Sequence, residues 1–205
     1  MELSNAGADL LGVPESALLR ALSRLIQPVS GREAARLGHL PQSTARRALA
    51  RLAKVGIVHA KEESHAVVYS LNRRHVLWPA AEEILASPAK VERLIADTVI
   101  NRVGDSATAL LFGSLARGGA TSESDIDVAI ILPEDFGEDE REHLVDELSD
   151  RVAIFTGNQV QVLTLTMSDL RRMVETNDPL IASWSDDAHT LVGSQVSELV
   201  AMVSR

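Results

Sequence analysis

Two stretches decide the fold of the C-terminal half: ATALLFGSLARG at residues 107–118 and SDIDVAIIL at residues 124–132. Their apolar runs predict two short buried strands. Gly113-Ser114 would end the first strand in a tight turn whose backbone N–H groups can bind phosphate, because glycine allows close approach to the backbone. Ser114 adds a hydroxyl donor to this turn, and Arg117 adds a cation.

Two carboxylates open the second of these stretches. Asp125 and Asp127 are two residues apart, so their side chains are expected on one face of the strand. Mg²⁺ binds one or two carboxylates together with substrate phosphate oxygens. A phosphate-binding turn beside such a pair predicts a nucleoside triphosphate site. Two metals there could activate an attacking hydroxyl and stabilise the leaving pyrophosphate.

The pattern FGSxARG followed by SDID resembles the signature of the DNA polymerase β-like nucleotidyltransferases. It is most similar to the minimal nucleotidyltransferases of prokaryotes, which include antibiotic-adenylylating enzymes and antitoxins that adenylylate a partner toxin. The resemblance extends from about residue 105 to about residue 195, and its later part resembles the helical end of such domains. It implies that Gly113 and Ser114 hold nucleotide phosphates, that Asp125 and Asp127 are catalytic metal ligands, and that Arg117 contacts phosphate or braces the loop.

One position departs from this family. The family usually supplies a third carboxylate from a later strand, and the corresponding strand here, residues 158–165, carries Gln161. An amide is not a general base and adds no negative charge for a second cation. Either the enzyme is slow, or its base comes from elsewhere (Glu123, Asp169 or a partner), or the site binds nucleotide without turnover.

The N-terminal third predicts a small helical domain. Apolar spacing predicts a first helix from Pro14, and Ser30 with Glu33 forms a capping box that opens a short second helix, with Gly38 as its C′ residue. The pattern then predicts a third helix and a hairpin, at residues 42–54, 57–60 and 66–71.

This order resembles the winged helix-turn-helix domains of bacterial transcriptional regulators, over about residues 14–75. The third helix would enter the major groove. Its predicted base-reading residues are Gln42, Ser43, Thr44 and Arg46, and its predicted phosphate contacts are Arg47, Arg51 and Lys54. Winged helices also dock proteins, which stays open as an alternative. Glu62 and Glu63 at the wing tip would repel phosphate, and Arg73 and Arg74 could compensate.

Composition excludes several functional classes. The 205 residues contain no cysteine, so disulfides, thiolate zinc sites and a cysteine nucleophile are excluded. Aromatic residues make up 3%, which argues against recognition of nucleic acid by base stacking. The sequence predicts neither a signal peptide nor a membrane span, and we expect a cytoplasmic protein.

Charge divides the chain in two. Residues 1–100 carry 13 Lys and Arg against 10 Asp and Glu, whereas residues 101–205 carry 7 against 19. Such asymmetry favours two domains with different partners.

The sequence therefore predicts an α+β protein. We expect an N-terminal winged helix-turn-helix at residues 1–78, a helical connector at 79–104, and a C-terminal polymerase β-like nucleotidyltransferase domain with a mixed sheet and helices at 105–205. The expected function is Mg²⁺-dependent transfer of a nucleoside monophosphate from a nucleoside triphosphate, with ATP as the expected donor, to a hydroxyl of a protein, a tRNA or a small molecule. The alternative is a DNA-binding regulator whose degenerate transferase domain binds or senses nucleotide. Double-stranded DNA is an expected partner, and a homodimer is expected by analogy with winged-helix regulators.

Overall fold

A computed structural model describes residues 3–63, 66–119 and 124–204. The chain divides into two compact units, formed mainly by residues 4–87 (the N-unit) and 88–205 (the C-unit). Within the described ranges, none of the helices combines the length and apolar character that crossing a membrane requires.

Helices and a three-stranded antiparallel sheet build the N-unit. The sheet has the order β1-β3-β2. The predicted helices and hairpin are confirmed, and the elements are α1 (Ala8–Leu11), α2 (Val13–Ser23), β1 (Val29–Ser30), α3 (Gly31–Leu37), α4 (Gln42–Val55), β2 (Val58–Glu63), β3 (Ala66–Leu71) and α5 (Trp78–Leu85). Leu18 and Leu22 of α2 and Leu49 of α4 are buried in one apolar core. The buried residues of α4 recur at helical spacing, so they form one apolar face and leave the opposite face in solvent: Ala45, Ala48, Leu49 and Leu52.

The end of α3 differs from the prediction. Gly38 has φ −84°, and it is His39 that takes the left-handed conformation, with φ +52°. Leu40 N–H donates to the Ala35 carbonyl and His39 N–H donates to the Arg36 carbonyl, so His39 is the C′ residue of a Schellman motif. Gly38 is needed for space instead, because a Cβ there would lie 3.3 Å from the Ala34 carbonyl oxygen.

The C-unit is built around a four-stranded mixed sheet of order β6-β5-β4-β7. Strands β5 and β6 are parallel, and β4 is antiparallel to both of its neighbours. The elements are α6 (Ser87–Val103), β4 (Thr108–Phe112), α7 (Gly113–Ala116), β5 (Ile126–Leu132), α8 (Glu138–Thr156), β6 (Val160–Thr166), α9 (Met167–Glu175), α10 (Pro179–Asp187), β7 (His189–Val192) and α11 (Val196–Val203).

Both faces of this sheet are covered, which explains why β5 is almost continuously apolar. Ile126, Val128 and Ile130 face the core shared with α6 and α8. Ala129 and Ile131 alternate onto the other face, where they meet residues of α9, α10 and α11. By the same alternation, Asp127 lies on the face that carries Ala129 and Ile131.

The C-terminal part of the chain is not helical throughout, contrary to the expectation. Residues 189–192 form the edge strand β7, which pairs antiparallel with β4. Ser194 N–H donates to the Thr108 hydroxyl at 3.2 Å just beyond that strand. The strand forms because β4 would otherwise leave one row of its backbone groups unpaired, and such tertiary pairing overrides a weak local pattern.

The two helices of the stretch 79–104 lie in different units. Trp78 and Ala81 of α5 pack in the N-unit core, whereas Val91 and Ile95 of α6 pack in the C-unit core. The chain passes from one unit to the other between residues 87 and 88.

His39→Gly is expected to stabilise the protein by roughly 0.5–1 kcal/mol, because glycine accepts the left-handed conformation without a Cβ penalty. Urea unfolding measures the change. The matched control Gly38→Ala should not stabilise, because its Cβ meets the Ala34 carbonyl oxygen. An unchanged or lower free energy of unfolding for His39→Gly would contradict this account of the turn.

Candidate functional site

One row of residues crosses the C-unit sheet where β4 ends and β6 begins. Asp127 of β5 pairs with Phe112 of β4 and with Gln161 of β6. Phe112 packs edge-on against Trp184, with ring centroids 5.6 Å apart. The aromatic pair covers one end of the row, and the polar side chains of Asp127 and Gln161 continue it toward solvent.

Gly113 follows Phe112 and has φ +74°, a conformation that side chains disfavour. A Cβ built on Gly113 would overlap the Asp127 carboxylate. The turn between β4 and α7 therefore accepts only glycine, for both its backbone conformation and its space. Asp127 and the first backbone groups of α7 are consequently held together at one point.

Asp127 is partly buried, and burial raises the pKa of its carboxyl above the ordinary range. Repulsion from Asp125 raises this pKa further, and attraction to Arg117 opposes the rise. The three side chains therefore share one electrostatic environment. A cation between the two carboxylates would relieve both the burial and the repulsion.

Gln161 contacts the other carboxylate directly. Its Nε2 donates to Oδ2 of Asp125 at 2.6 Å. The residue predicted to stand where the family has a third carboxylate thus lies beside the two aspartates, and it offers an amide donor. Asn158, which is 4% exposed, donates from Nδ2 to the Ser124 carbonyl at 3.1 Å and fixes the chain just before Asp125.

Arg117 is engaged by a residue that the sequence analysis missed. Its Nη1 lies 3.5 Å from Oδ2 of Asp187, the last residue of α10. The ion pair connects the turn after β4 to α10, so it braces the loop. The two residues are 70 positions apart, and only the folded chain brings them together. The role of Asn158 has only a weak signal in the sequence, which is its position directly after Gly157, the residue that ends α8.

Two other carboxylates, Asp169 and Glu123, were predicted as alternative bases for the site. Asp169 accepts from Thr166 N–H at 3.0 Å at the far end of β6. Thr166 is five positions beyond Gln161 along this strand, which corresponds to about 16 Å. Asp169 therefore does not join the site. Glu123 lies outside the described residues.

The donor set fits one Mg²⁺. In the described ranges, no group of three or more His, Asp or Glu side chains could share a metal ion. Two neighbouring carboxylates with a raised pKa at one of them match the protein share of a magnesium site, whose remaining ligands are water and phosphate oxygens.

The N-unit presents a polar face at the start of α4. Gln42, Ser43, Arg46 and Arg47 are exposed, whereas Thr44 is partly buried. A groove of about 490 Å³ lies between this face and β3, with Arg32, Gln42, Arg46 and Tyr69 among its lining residues.

Two arginines expected near DNA have protein partners. Arg51 forms an ion pair with Glu15. Arg73 donates from Nη2 to the Ser23 carbonyl at 2.6 Å. In β2, Lys61 pairs with Glu63 at 2.9 Å, which offsets part of the acidic charge there.

Comparison with protein families finds a match within the C-unit. Residues 96–186 match the family model described as polymerase beta, nucleotidyltransferase. The match covers less than half of the chain and contains Gly113, Asp125, Asp127 and Gln161. This stretch is similar to the nucleotidyltransferase domains of that family.

Two solved structures are similar to part of the chain. One is a toxin–antitoxin with AMP-PNP, at 20% identity and a TM-score of 0.40, and the other is a mutant of the toxin–antitoxin MntA-HpeT, at 17% identity and a TM-score of 0.39. Each comparison covers 55% of this chain and 83% of the other. No curated protein matches the chain.

Asp127→Asn is expected to raise the melting temperature at neutral pH, because the amide removes a charge that burial and Asp125 disfavour. The direction of the change follows from the raised pKa. Above that pKa the charged Asp127 carboxylate destabilises the folded state. The stability difference between the unaltered protein and Asp127→Asn therefore disappears at low pH, where the carboxyl is protonated in both the folded and the unfolded state. Calorimetric melting from pH 7 down to about pH 3 measures it.

The matched control is Asp105→Asn, which removes an exposed carboxylate of the same unit. It should leave the melting temperature nearly unchanged. A destabilised Asp127→Asn protein at pH 7 would contradict the assignment of Asp127 as an electrostatically disfavoured residue.

Proposed function

We propose that the C-unit catalyses Mg²⁺-dependent transfer of a nucleoside monophosphate from a nucleoside triphosphate to a hydroxyl acceptor. The observation that carries the proposal is the Asp127 carboxylate seated against Gly113 and close to Asp125. This arrangement puts a candidate metal site next to a turn suited to phosphate. The family match of residues 96–186 supports the reaction class.

Each residue has a distinct part in the proposed reaction. Backbone N–H groups after Gly113, with the Ser114 hydroxyl, would bind the nucleotide phosphates. Arg117, held by Asp187, would keep the turn in place and add positive charge near the phosphates. Mg²⁺ bound by Asp125 and Asp127 would supply Lewis acidity that stabilises the negative charge developing on phosphate and pyrophosphate.

ATP is the donor we propose, and the acceptor is a hydroxyl of a protein, a tRNA or a small molecule. The acceptor must lose a proton during transfer, and Gln161 cannot take it. The proposed enzyme is consequently slow, or its base comes from elsewhere, either from Glu123 or from the acceptor.

A second candidate function rests on the Gln161 contact. The amide donates to Asp125 and thereby satisfies one carboxylate oxygen without adding charge. Such a site can hold one cation and a nucleotide while lacking the base for transfer. On this reading the chain is a DNA-binding regulator that senses nucleotide.

Gln161→Asp separates the two candidates. A carboxylate at this position would add both a metal ligand and a base, so transfer should rise by about 100-fold or more. The assay incubates the full chain with Mg²⁺, ATP labelled at the α-phosphate, and a cell extract that supplies acceptors. Sensitivity of the labelled product to protease or nuclease then identifies the acceptor class.

The matched control is Gln161→Met, which removes the amide without adding a base and should transfer no faster than the unaltered protein. Slow labelling by the unaltered protein, accelerated only in Gln161→Asp, supports the enzyme. The absence of labelled product from all three proteins, despite Mg²⁺-dependent ATP binding, would contradict the enzyme and favour the nucleotide-sensing regulator.

We further propose that the N-unit is a winged helix-turn-helix that binds double-stranded DNA through the start of α4. Gln42, Ser43, Thr44 and Arg46 would face bases, and Arg47 would contact phosphate. Exposure of the polar side chains at the start of α4 supports this assignment. Arg51 is paired with Glu15, so in this proposal it contacts phosphate only after that ion pair rearranges. Docking of a protein on this face is the alternative.

Arg46→Ala with Arg47→Ala should weaken duplex binding and reduce the slope of log K against log salt concentration by about 1–2, since each lost phosphate contact lowers it by about 0.9. Fluorescence anisotropy across a salt series measures the slope. The control pair, Arg93→Ala with Arg171→Ala, removes the same charge from the C-unit and should leave the slope unchanged. Unchanged binding by the Arg46 and Arg47 variant would contradict the DNA-binding assignment.

A further inference from the structure

A second cavity of the N-unit has no part in the functions proposed above. Its volume is about 430 Å³, within the range of small-molecule sites. Three segments line it: the N-terminal residues Ser4 and Asn5, helix α2, and the turn between α3 and α4 at residues 37–40.

The charged residues that line this cavity are basic. Arg20 of α2 and Arg24, the C-cap residue of that helix, line it together with His39 of the turn, and none of its lining residues is acidic. Arg24 and His39 are exposed, and neither forms an ion pair with another residue in the described part of the chain. Arg20 and Arg24 are four residues apart on one helix, so their like charges face the same side.

Backbone carbonyl groups hold Arg20 in place, and its guanidinium forms no ion pair within the described residues. Its Nη1 donates to the Ser4 carbonyl at 3.1 Å and its Nη2 to the Ala6 carbonyl at 3.0 Å. Its Nε is buried and has no hydrogen-bond partner among residues 3–63, 66–119 and 124–204. Burial lowers the pKa of Arg20, and the charge of Arg24 lowers it further. An anion in the cavity would offset both effects.

The turn that closes the cavity contains a strained residue. His39 has φ +52°, where glycine would be less costly. Strained backbone at a non-glycine residue is often found at ligand sites. The imidazole of His39 is a third group that can donate a hydrogen bond to an anion.

The walls of the cavity along α2 and the turn also carry apolar side chains. These are Val13, Ala17, Ala21, Leu37 and Leu40. A small inorganic anion would leave this surface in contact with water, whereas an anion attached to an apolar body would cover it. The cations and the apolar walls together select an amphiphilic ligand.

We propose that this cavity binds a small organic anion, in which a carboxylate or phosphate group is attached to an apolar body. The planar guanidinium groups of Arg20 and Arg24 would hold the anionic group, since arginine matches the geometry of both carboxylate and phosphate. The apolar body would lie on Leu37 and Leu40. A ligand there contacts the turn that leads directly into α4.

The test is a titration of the full chain, followed through the NMR resonances of the His39 imidazole and the Leu37 and Leu40 methyl groups. The probes are phenyl phosphate and 3-phenylpropionate, which represent the two sources of the anion, and the neutral 3-phenylpropanol. We expect saturable shifts with at least one anion and binding at least tenfold weaker for the alcohol. The anion that binds more tightly identifies phosphate or carboxylate as the natural group.

Arg24→Gln is the diagnostic variant, because Arg24 is exposed and its loss leaves the Arg20 hydrogen bonds intact. It should weaken anion binding at least tenfold. The matched control Arg32→Gln removes an exposed arginine of α3 that lines the other groove, and it should bind as the unaltered protein does. The absence of saturable shifts with either anion would overturn the proposal. So would equal affinity for the alcohol, or unchanged affinity in Arg24→Gln.

Discussion

The contact between the Asp127 carboxylate and Gly113 is the constraint on which the C-unit site depends. Asp127 occupies a strand position whose neighbours on the same face, Ala129 and Ile131, are buried. A carboxylate at such a position disfavours folding, as its raised pKa reflects. The sheet tolerates it because Gly113 leaves room for the carboxylate at the turn and because the buried strands on both sides fix the register. Folding thereby holds a negative charge where a cation and phosphates can meet.

Gln161 determines which reactions the proposed site could support. Register pairing brings it beside Asp127, and its amide donates to Asp125. The proposed site would then have two carboxylates and no third one, so it would suit one cation better than two. In the proposal, Gln161 is therefore the residue that distinguishes nucleotide binding from nucleotide transfer.

Local features of the sequence were the most predictable ones. Asp125 directly precedes β5 and Asp127 lies within it, so their spacing predicted that the two carboxylates lie close together. Gln161 was predicted from the family resemblance, which implies a carboxylate at the corresponding position of a later strand. Features that depend on distant partners were not predictable: the Arg117–Asp187 ion pair, the edge strand β7, and the Arg51–Glu15 pair. The left-handed conformation of His39 was missed because the neighbouring Gly38 is the residue type that usually ends a helix in this conformation. The close contact that a Cβ on Gly38 would make with the Ala34 carbonyl is a tertiary feature that the sequence does not show.

The most direct test of the central claim is a calorimetric titration of the full chain with ATP, with and without Mg²⁺. It should be run alongside the Asp125→Asn/Asp127→Asn protein. The account predicts saturable, Mg²⁺-dependent binding to the unaltered chain and none to the double variant, which should remain folded because amides replace carboxylates of the same shape. Equal ATP binding without Mg²⁺, or binding retained by the folded double variant, would contradict the assignment of Asp125 and Asp127 as the metal and nucleotide site.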